Sequence, residues 1–559
     1  MIVLGISCFY HDAAACIVKD GIVVAAVDEE RFSRKKHDNS FPKDAINYCL
    51  KEAGVSFDKV DYIGFYERPI VKFERVLSSM IQTFPKSWFV FATALPSWFL
   101  EKLRIPSILK KKFKYDGEVV FVEHHLAHAA SAFLPSPFNE AAILTIDGVG
   151  EWATATYGVG KENNIQLSKQ ISFPHSLGLL YSAITAHIGF KVNNDEYKIM
   201  GLAPYGKPTM IEKLKKVISV KEDGSFELDL SYFTFHYKNK MLSKKFSKEF
   251  GPARKKKTPI AKRDKDLAAS LQKLTEEILL KMTKHIHKET KKENLCIAGG
   301  VALNSVANGL IERESGFKKI FIQPSAGDSG GAMGVALYIY NTLLDKKRKY
   351  VLRNPFLGPG YSKEEIKEFL TKNNIEFKEY KAQELLKKTA KLIYQNKIVG
   401  WFQGRMEWGP RALGARSILA NACNPKMKDI LNKKVKHREE FRPFAPVCPI
   451  EDASEYFEIM DETPFMLKVC YVKKDKQKLI PAVTHIDETA RLQTIRREVN
   501  SKYYDLLKEF KKLSGVPVIV NTSFNIMGEP IVLTPKDAYK CFKGTRIDCL
   551  VMNNFLIEK

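Results

Sequence analysis

The chain has 559 residues, more than one hydrophobic core ordinarily holds, so we expect two or three domains. Its net charge of +25 is unevenly distributed, since residues 238–266, which read as a loop, hold twelve Lys/Arg against three Asp/Glu. The other basic residues are not interleaved with aromatic and arginine side chains as on a nucleic-acid-binding surface, which disfavours a nucleic-acid partner. The nine cysteines lie scattered, with no C-x-x-C pair, which is typical of a reducing, cytoplasmic compartment.

The N-terminal region alternates β-rich runs with turns. Strands are predicted at residues 2–7, 13–18 and 22–27, and a Lys-Asp-Gly turn gives the last two a strong hairpin signal. No basic leader precedes them, so we expect no signal peptide. A charged loop at residues 29–37 and a helix at 42–53 follow, which indicates the start of an α/β domain.

The most apolar stretch is residues 87–100, SWFVFATALPSWFL. A helix needs about 20 apolar residues to span a bilayer. This run is shorter and is broken by Pro96. It therefore predicts a buried helix or a hydrophobic lid, and we expect no membrane span.

Two histidines and an aspartate have the spacing of metal ligands. His124 and His128 stand four apart among good helix formers, which places both imidazoles on one face of a helical turn, whereas His125 points elsewhere. Asp147 follows a short apolar run at residues 142–146 that reads as a buried strand. Such donors suit iron, zinc or manganese. The structural alternative is a capping or packed His124, a core His128 and an Asp147 that only begins a turn.

The order strand, Asp-Gly turn and returning strand recurs at residues 142–160 and suggests a duplicated nucleotide-binding architecture. Residues 296–308 read as a strand, a Gly299-Gly300 turn and a helix, where backbone amides and a helix N-terminus can meet an anionic ligand. We expect Gly299, Gly300 and Asn304 to bind a nucleotide. A further carboxylate, Asp328, lies in a glycine-rich turn before another helix.

A basic segment containing proline and glycine marks a domain boundary. The predicted division is an N-terminal domain at residues 1–345, a linker at 346–361 and a smaller α/β domain at 362–559. In the last of these, helices are expected at residues 366–373 and 382–395, and strands at 398–402, 516–520, 531–533 and 550–552.

Basic side chains cluster beside glycine-rich turns in the C-terminal domain. Arg405, Arg411 and Arg416 lie in QGRMEWGPRALGARSIL, and further polar and basic residues follow at Lys436, Arg438, Arg442, Arg491, Asn521, Ser523 and Asn525. A guanidinium group can bind phosphate oxygens through two parallel hydrogen bonds, so the cluster predicts a phosphate-bearing ligand. Alternatively, the arginines brace surface loops or pair with Glu407 and Glu439.

Motifs along essentially the whole chain resemble, in family order, the O-carbamoyltransferases of nodulation-factor and antibiotic biosynthesis. They are HDAAA (11–15), EERFSRKKH (29–37), HHLAHAASAF (124–133), IDGVGEW (146–152), NDEYKIMGLAPYGKP (194–208), GDSGGA (327–332), GPRALGARSIL (409–419), FRPFAP (441–446), RLQTI (491–495) and NTSFNIMGEPIV (521–532).

The resemblance implies a fold and a two-step reaction. The fold is α/β, with a duplicated actin-like (ASKHA) N-terminal domain and a smaller YrdC-like C-terminal domain. The C-terminal domain would convert carbamoyl phosphate and ATP to carbamoyladenylate, and the N-terminal domain would pass the carbamoyl group to a hydroxyl of a small molecule or glycan. The implied cofactors are ATP with magnesium and a divalent metal, iron foremost. Enzymes of this kind are often homodimers.

The resemblance also implies site residues, matched motif by motif. The metal ligands are His124, His128, Asp147 and Asp328, the carbamoyl-phosphate and ATP residues are Arg411, Lys436, Arg442, Arg491, Asn521 and Ser523, and the acceptor-site residues are His11 and Lys36. A neutral His11 could take the proton of the acceptor hydroxyl. Alternatively, His11 is a hydrogen-bonded turn residue before Asp12, and only one of Arg34, Lys35 and Lys36 faces the site.

Other functions account for fewer features. Threonylcarbamoyl transfer to tRNA shares both folds and suits a basic chain, but the presence of both activities in one chain with NTSFN-type motifs argues against it. A sugar kinase leaves the arginine cluster unused, and a non-catalytic scaffold needs neither His11 nor the metal ligands. The basic segment 238–266 is either an inserted surface loop or a bias of the entrance toward an anionic acceptor.

Overall fold

The computed structural model describes residues 1–559 and divides the chain into two compact units. Unit 1 comprises Met1–Glu29 and Asn39–Leu352, and unit 2 comprises Glu30–Asp38 and Arg353–Lys559. The segment predicted as a linker, residues 346–361, is therefore divided between the units after Leu352. The assignment of residues 30–38 to unit 2 was not foreseen from the sequence.

Unit 1 contains two five-stranded sheets and a small two-stranded hairpin. Its strands are β1 (Ile2–Ser7), β2 (Ala14–Lys19), β3 (Ile22–Asp28), β4 (Tyr62–Phe65), β5 (Val119–Phe121), β6 (Glu140–Ile146), β7 (Ala153–Lys161), β8 (Asn164–Ser172), β9 (Ile218–Val220), β10 (Phe226–Leu228), β11 (Asn294–Ala298) and β12 (Lys319–Phe321). The three strands predicted at the N-terminus are thus confirmed.

The two large sheets have the same topology. Their strand orders are β3-β2-β1-β4-β5 and β8-β7-β6-β11-β12. In each sheet the first three strands along the chain pair antiparallel, and the last two add in parallel to the first strand. This repetition confirms the predicted duplicated, actin-like architecture.

The α-helices of the whole chain are α1 (Glu30–Ser33), α2 (Lys43–Ala53), α3 (Pro69–Thr83), α4 (Trp88–Leu100), α5 (Ile105–Phe113), α6 (His124–Phe133), α7 (Leu177–His187), α8 (Glu196–Leu202), α9 (Ile211–Leu214), α10 (Lys244–Phe250), α11 (Lys262–Thr290), α12 (Ser305–Glu314), α13 (Gly330–Leu337), α14 (Lys363–Lys372), α15 (Ala382–Tyr394), α16 (Met427–Leu431), α17 (Ile450–Tyr456), α18 (Ser501–Ser514) and α19 (Pro535–Gly544). Several begin at polar caps of the kind that satisfy unpaired backbone amides. Ser176 caps α7, and Ser362 and Thr534 form reciprocal capping boxes with Glu365 and Asp537.

Helices α6 and α13 pack against each other at very short range in unit 1. A Cβ atom at Gly334 would lie 2.0 Å from the carbonyl oxygen of Ala127, so only glycine fits at this contact. Ala127 lies between His124 and His128 on α6, and Asp328 lies just before α13. The close approach therefore brings the two ends of the predicted metal site together.

Three expectations for residues 1–345 were wrong or incomplete. Residues 87–100 form helix α4, but only Trp98 of that helix is buried, so the expected buried helix is wrong. The basic segment 238–266 is not a plain loop, since it contains α10 and the start of α11. Residues 29–37, expected as a loop, include the short helix α1. No helix in the structure is long and apolar enough to cross a membrane.

Unit 2 is built on an eight-stranded mixed sheet with a separate three-stranded sheet beside it, and is α/β as predicted. The sheet order is β13-β23-β22-β14-β15-β21-β16-β20. The strands of unit 2 are β13 (Lys378–Glu379), β14 (Val399–Phe402), β15 (Arg416–Asn421), β16 (Ala445–Pro449), β17 (Phe457–Glu458), β18 (Cys470–Val472), β19 (Thr489–Ala490), β20 (Gln493–Ile495), β21 (Ile519–Ser523), β22 (Cys549–Met552) and β23 (Phe555–Glu558).

Two predicted strands of unit 2 differ from the structure. The strand expected at residues 516–520 begins later, as β21, because Pro517 has no amide to donate to a ladder. The strand expected at residues 531–533 does not form. Its apolar side chains are buried without a ladder, and the carbonyl of Ile531 accepts from the Arg34 guanidinium.

Candidate functional site

Four side chains of unit 1 converge in the manner of metal ligands. Asp147 Oδ2 lies 3.0 Å from His124 Nε2 and 3.3 Å from His128 Nε2, and the two Nε2 atoms are 3.1 Å apart. Asp328 Oδ1 lies 3.7 and 3.6 Å from the same two nitrogens. All four ligand atoms lie within 4.8 Å of one another, and all four residues are buried. The structure thus brings together the four residues that the resemblance implied.

The donor set fits a divalent cation. Two nitrogens that bind one ion at about 2.0–2.1 Å stand roughly 3.0–3.4 Å apart, which matches the separation of the two Nε2 atoms. Asp328 Oδ2 is buried without a protein partner. Two imidazoles and two carboxylates suit iron, zinc or manganese. The choice of iron thus has no support beyond the resemblance.

The fold explains why these residues meet. Strands β6 and β11 are parallel neighbours, so their carboxyl ends lie at the same sheet edge. Asp147 directly follows β6, and the Gly299-Gly300 turn directly follows β11. The amide of Gly300 donates to Asp147 Oδ1 at 3.1 Å. One carboxylate therefore faces the histidines with one oxygen and the glycine turn with the other.

The local electrostatics separate His125 from His128. Burial lowers the pKa of His125 to about 3, and its ring bonds to Thr145 Oγ1 and the Ala153 carbonyl. Burial also lowers the pKa of His128, but hydrogen bonds with Asp147 and Asp328 outweigh it and raise that pKa to about 9. His125 is therefore a packed core histidine, as its position on the helix predicts.

The predicted nucleotide residues of unit 1 lie beside the metal cluster but differ in availability. Gly299 has a φ of 95°, and a Cβ atom there would lie 2.2 Å from the Ile146 carbonyl oxygen, so the position requires glycine. The Asn304 side chain caps α12 by accepting from Ala307 N at 3.1 Å. It also pairs with Gln272. The glycine turn keeps its predicted form, whereas Asn304 already has a structural task.

His11 is hydrogen-bonded through both ring nitrogens. Its Nδ1 lies 2.6 Å from Asp12 Oδ2, and its Nε2 contacts the Asn193 carbonyl. Burial lowers the pKa of His11, but the Asp12 carboxylate outweighs burial and raises the pKa to about 10. Since a carbonyl can only accept, Nε2 must carry a proton in this arrangement. His11 can therefore act as the expected neutral base only after its Nε2 has lost that proton.

In unit 2 the predicted anion-binding residues meet at one edge of the large sheet. Strands β15 and β16 run antiparallel to β21, and β20 is parallel to β16. The starts of β15, β16 and β20 therefore lie beside the end of β21. Arg411, Arg442 and Arg491 lie shortly before those three strands, and Asn521 and Ser523 lie near the end of β21.

Asn521 and Lys436 show how this edge is held. Asn521 Nδ2 donates to the Ala412 carbonyl and to Gln493 Oε1, whereas its buried Oδ1 has no protein partner. Lys436 Nζ donates to Asn525 Oδ1 at 3.0 Å and to Ser523 Oγ at 3.3 Å. An ammonium and an unpaired amide oxygen thus lie close to the same strand end.

The cationic groups at this edge repel one another. Burial lowers the pKa of Arg491. Repulsion from the guanidinium groups of Arg411, Arg438 and Arg442 lowers that pKa further. Burial likewise lowers the pKa of Lys436, with added repulsion from Arg438 and Arg442. The carboxylate beside Arg442 is Glu439, at 3.8 Å. An anion bound here would relieve this repulsion.

Two other arginines of the cluster, Arg405 and Arg416, brace loops, which is the alternative that the sequence left open for the cluster. Arg416 is buried, stacks on the Phe402 ring and donates to the carbonyls of Gln403, Ala415, Pro359 and Gly404. Arg405 donates to the carbonyls of Leu357 and Gly358. Glu407 pairs with no arginine side chain at this loop; its Oε1 accepts the amides of Leu413, Ala415 and Arg416.

Residues 30–38 brace the loop that carries Arg411. Arg31 donates to the Gly409 carbonyl at 2.9 Å, and Phe32 packs against Met406, Ala412, Ile531 and Leu533. Arg34 donates to the carbonyls of Ile531 and Pro530, and Lys35 is exposed, which leaves half-buried Lys36 as the acceptor-site candidate of this run. Lys36 belongs to unit 2 and His11 to unit 1, so neither unit brings the pair together.

Comparison with known proteins identifies the family. The family described as "Carbamoyltransferase N-terminus" matches residues 2–337, and the family described as "Carbamoyltransferase C-terminus" matches residues 390–559. The chain belongs to the carbamoyltransferase family. This enzyme is 47% identical to an uncharacterized protein of Synechocystis sp. over 100% of its own length and 96% of that protein's. It is 38% identical to nodulation protein NolNO of Sinorhizobium fredii over 99% of its own length and 79% of that protein's.

Sequence reasoning missed one carboxylate of the enzyme. Glu151 is buried, accepts from the His124 amide through both oxygens at 3.1 Å, and accepts from the Arg68 amide at 2.7 Å. It therefore satisfies the N-terminus of α6 and fixes the turn that carries the first histidine. The available signal was its place in the IDGVGEW motif, four residues after Asp147.

Proposed function

We propose that this carbamoyltransferase is an ATP-dependent O-carbamoyltransferase that acts in two steps. Unit 2, within the predicted domain 362–559, would form carbamoyladenylate from carbamoyl phosphate and ATP. Unit 1, within the predicted domain 1–345, would transfer the carbamoyl group to a hydroxyl of a small molecule or glycan. The carrying observation is the convergence of mutually repelling cationic groups at one edge of the sheet in unit 2, which suits a small dianion, in a chain of this family.

The residues of unit 2 match the chemistry of carbamoyl phosphate. Guanidinium groups of Arg411, Arg442 and Arg491 would bind its phosphate, which is the leaving group. The buried, unpaired Oδ1 of Asn521 requires a donor, and the carbamoyl NH2 group supplies one. Lys436, already held by Ser523 and Asn525, would neutralise charge that develops on transferring oxygens.

The first step balances when water is included. Carbamoyl phosphate and water give carbamate and phosphate, and carbamate oxygen then attacks the α-phosphorus of ATP. Carbamoyladenylate forms and pyrophosphate leaves, with magnesium accompanying ATP. In the second step, the acceptor oxygen bonds to the carbamoyl carbon, AMP leaves, and the hydroxyl proton passes to a base. Exclusion of water from unit 1 would prevent loss of the intermediate as carbamate.

In unit 1, His124, His128, Asp147 and Asp328 would hold a divalent cation, which the resemblance implies to be iron. Such a cation, when bound, supplies positive charge that polarises a carbonyl or neutralises a phosphate. The glycine turn after β11 would contact the adenylate. Gly299 and Gly300 have no side chains, so the ligand can approach their backbone amides. His11 would receive the acceptor proton at Nε2 once the Asn193 carbonyl no longer occupies it.

The protonation of His11 gives a pH prediction. With a pKa of about 10, its neutral fraction and the transfer rate should rise about tenfold per pH unit from about pH 7 toward 10. The Asp12→Asn substitution removes the group that raises the pKa, so the rise should move to lower pH. Single-turnover transfer from supplied carbamoyladenylate would measure this, with pyrophosphate exchange as the control. A profile that does not move would exclude His11 as the base.

The whole proposal is tested with labelled carbamoyl phosphate. The purified enzyme, incubated with it and ATP in a metabolite extract, should place the label on a hydroxyl-bearing product and release AMP and pyrophosphate. Without acceptor, the enzyme should still catalyse ATP–pyrophosphate exchange that depends on carbamoyl phosphate. Labelled product that forms equally well without ATP would contradict the adenylate step.

A further inference from the structure

A helical hairpin of unit 1 exposes an unusual amount of apolar surface. Helices α3 and α4 form this hairpin (Pro69–Leu100), and Phe73 of α3 packs against Trp98 and Phe99 of α4. Four large apolar side chains at the tip, where α3 ends and α4 begins, are 56–74% exposed: Ile81, Phe84, Trp88 and Phe89. At the other end of α4, Phe99 and Leu100 are 53% and 65% exposed. Contiguous apolar surface on a folded protein marks an interaction site.

Helix α4 has the composition of a lipid-contacting segment. Its thirteen residues, WFVFATALPSWFL, contain no charge on any face, and only Trp98 is buried. A helix that is apolar all round belongs in a core or in lipid. A spanning helix needs about 20 residues, so α4 is too short to cross a bilayer but long enough to lie at its interface.

Basic side chains lie near both ends of α4. Six of them are exposed in the hairpin loop and around α5: Lys86, Arg104, Lys110, Lys111, Lys112 and Lys114. Over residues 69–114 the acidic residues are Glu74 and Glu101 alone. Aromatic and aliphatic side chains beside lysines are the pattern by which peripheral proteins bind anionic lipid. A second copy of the chain would bring the same positive charges face to face, which disfavours self-association here.

The root of the hairpin is fixed, so its tip cannot simply fold back into the core. Lys72 and Glu67 form a buried ion pair, and Arg75 lies over the Phe173 ring at 4.8 Å. The Arg68 amide, just before α3, donates to Glu151, which also accepts from His124 at the start of α6. These contacts attach the hairpin to the framework of the metal cluster while its tip points to solvent.

We propose that the α3–α4 hairpin docks this enzyme on the surface of an anionic lipid bilayer. Helix α4 lies along the interface with its exposed apolar side chains among the acyl chains near the headgroups, and the lysines around α5 bind anionic headgroups. The inference rests on the hairpin alone and does not depend on the acceptor or the reaction steps proposed above.

Flotation of the full chain with vesicles tests the inference. We expect binding to vesicles of phosphatidylcholine with phosphatidylglycerol, weak binding to phosphatidylcholine alone, and weakening by salt. The double variant F89S/L100S should bind at least about tenfold more weakly, and K110Q/K111Q/K112Q should lose the preference for anionic vesicles. Ile486→Ser, which alters an exposed apolar side chain of unit 2, should bind as the wild type does.

Several results would overturn the inference. Absence of wild-type flotation, or flotation unchanged in F89S/L100S, would do so. Dimerisation that F89S/L100S abolishes, without vesicle binding by the wild type, would show that a second copy covers the exposed side chains of α4. Thermal denaturation verifies that each variant is folded, and all altered side chains are exposed, so the melting temperature should stay close to that of the wild type. The experiments can therefore contradict membrane docking without contradicting the proposed reaction, and they can contradict the reaction without contradicting membrane docking.

Discussion

Replacing Arg411 with alanine should lower carbamoyl-phosphate-dependent ATP–pyrophosphate exchange by about 10²–10³-fold. The guanidinium is one of the cations that lower the pKa of Arg491 by repulsion, and a bound phosphate is the group that would pair with it. Loss of one partner of a desolvated, hydrogen-bonded charge pair costs about 3–4 kcal/mol, which corresponds to this factor. The measurement is exchange of labelled pyrophosphate into ATP at saturating carbamoyl phosphate.

A matched control is available near the same strand. Arg496 is about half exposed and pairs with Glu462 at 2.7 Å, so Arg496→Ala should leave exchange unchanged. The Arg411→Ala enzyme should still transfer from supplied carbamoyladenylate, since the change affects only formation of the intermediate. Normal exchange in Arg411→Ala, or loss of transfer with exchange intact, would contradict the roles assigned to the two units.

Replacing His128 with alanine should abolish metal binding and carbamoyl transfer while pyrophosphate exchange continues. Its Nε2 is one of four convergent donors, and even groups that only support metal ligands contribute about 10–100-fold to affinity, so loss of a ligand should exceed that factor. Elemental analysis of the purified enzyme measures bound metal, and thermal denaturation with added iron(II), zinc or manganese tests which ion stabilises the protein.

His125→Gln is the matched control for this experiment. His125 lies beside the cluster and is equally buried, but its ring bonds to Thr145 and the Ala153 carbonyl. The substitution should lower the free energy of unfolding by about 1–3 kcal/mol and leave metal content unchanged. If both variants kept the metal and transferred normally, the cluster would be a buried hydrogen-bond network and not a metal centre.

Local spacing and strand endings predicted much of unit 1. The i, i+4 histidines were recognisable because a helix repeats its face every three to four residues, and Asp147 because an apolar run ended at an Asp-Gly turn. Asp328 was recognisable as a ligand only through the resemblance, because nothing local reveals that α13 packs on α6 through Gly334. The position of Asp328 depends on long-range packing, which sequence periodicity does not reveal.

Unit 2 was predicted less well, for reasons visible in its residues. Among the arginines of QGRMEWGPRALGARSIL, residue type and spacing alone could not separate Arg411 from Arg416, and only the resemblance did. The local sequence does not reveal the backbone carbonyls that hold the Arg416 guanidinium. Residues 531–533 are apolar and buried but form no strand: the Ile531 carbonyl accepts from Arg34 of a remote segment, and the Val532 amide donates to the Phe524 carbonyl. Apolarity predicted burial correctly but not hydrogen-bond partners.

The detour of residues 30–38 through unit 2 bears on how the chain is made. A ribosome releases this segment early, but its packing partners, among them Met406, Gly409 and Ile531, emerge only much later. Phe32 and Arg31 must therefore wait through synthesis of the rest of unit 1, at about 5–20 residues per second. A gene fragment that starts at Arg353 would encode unit 2 without the brace of its Arg411 loop, so the two units cannot be separated by one cut.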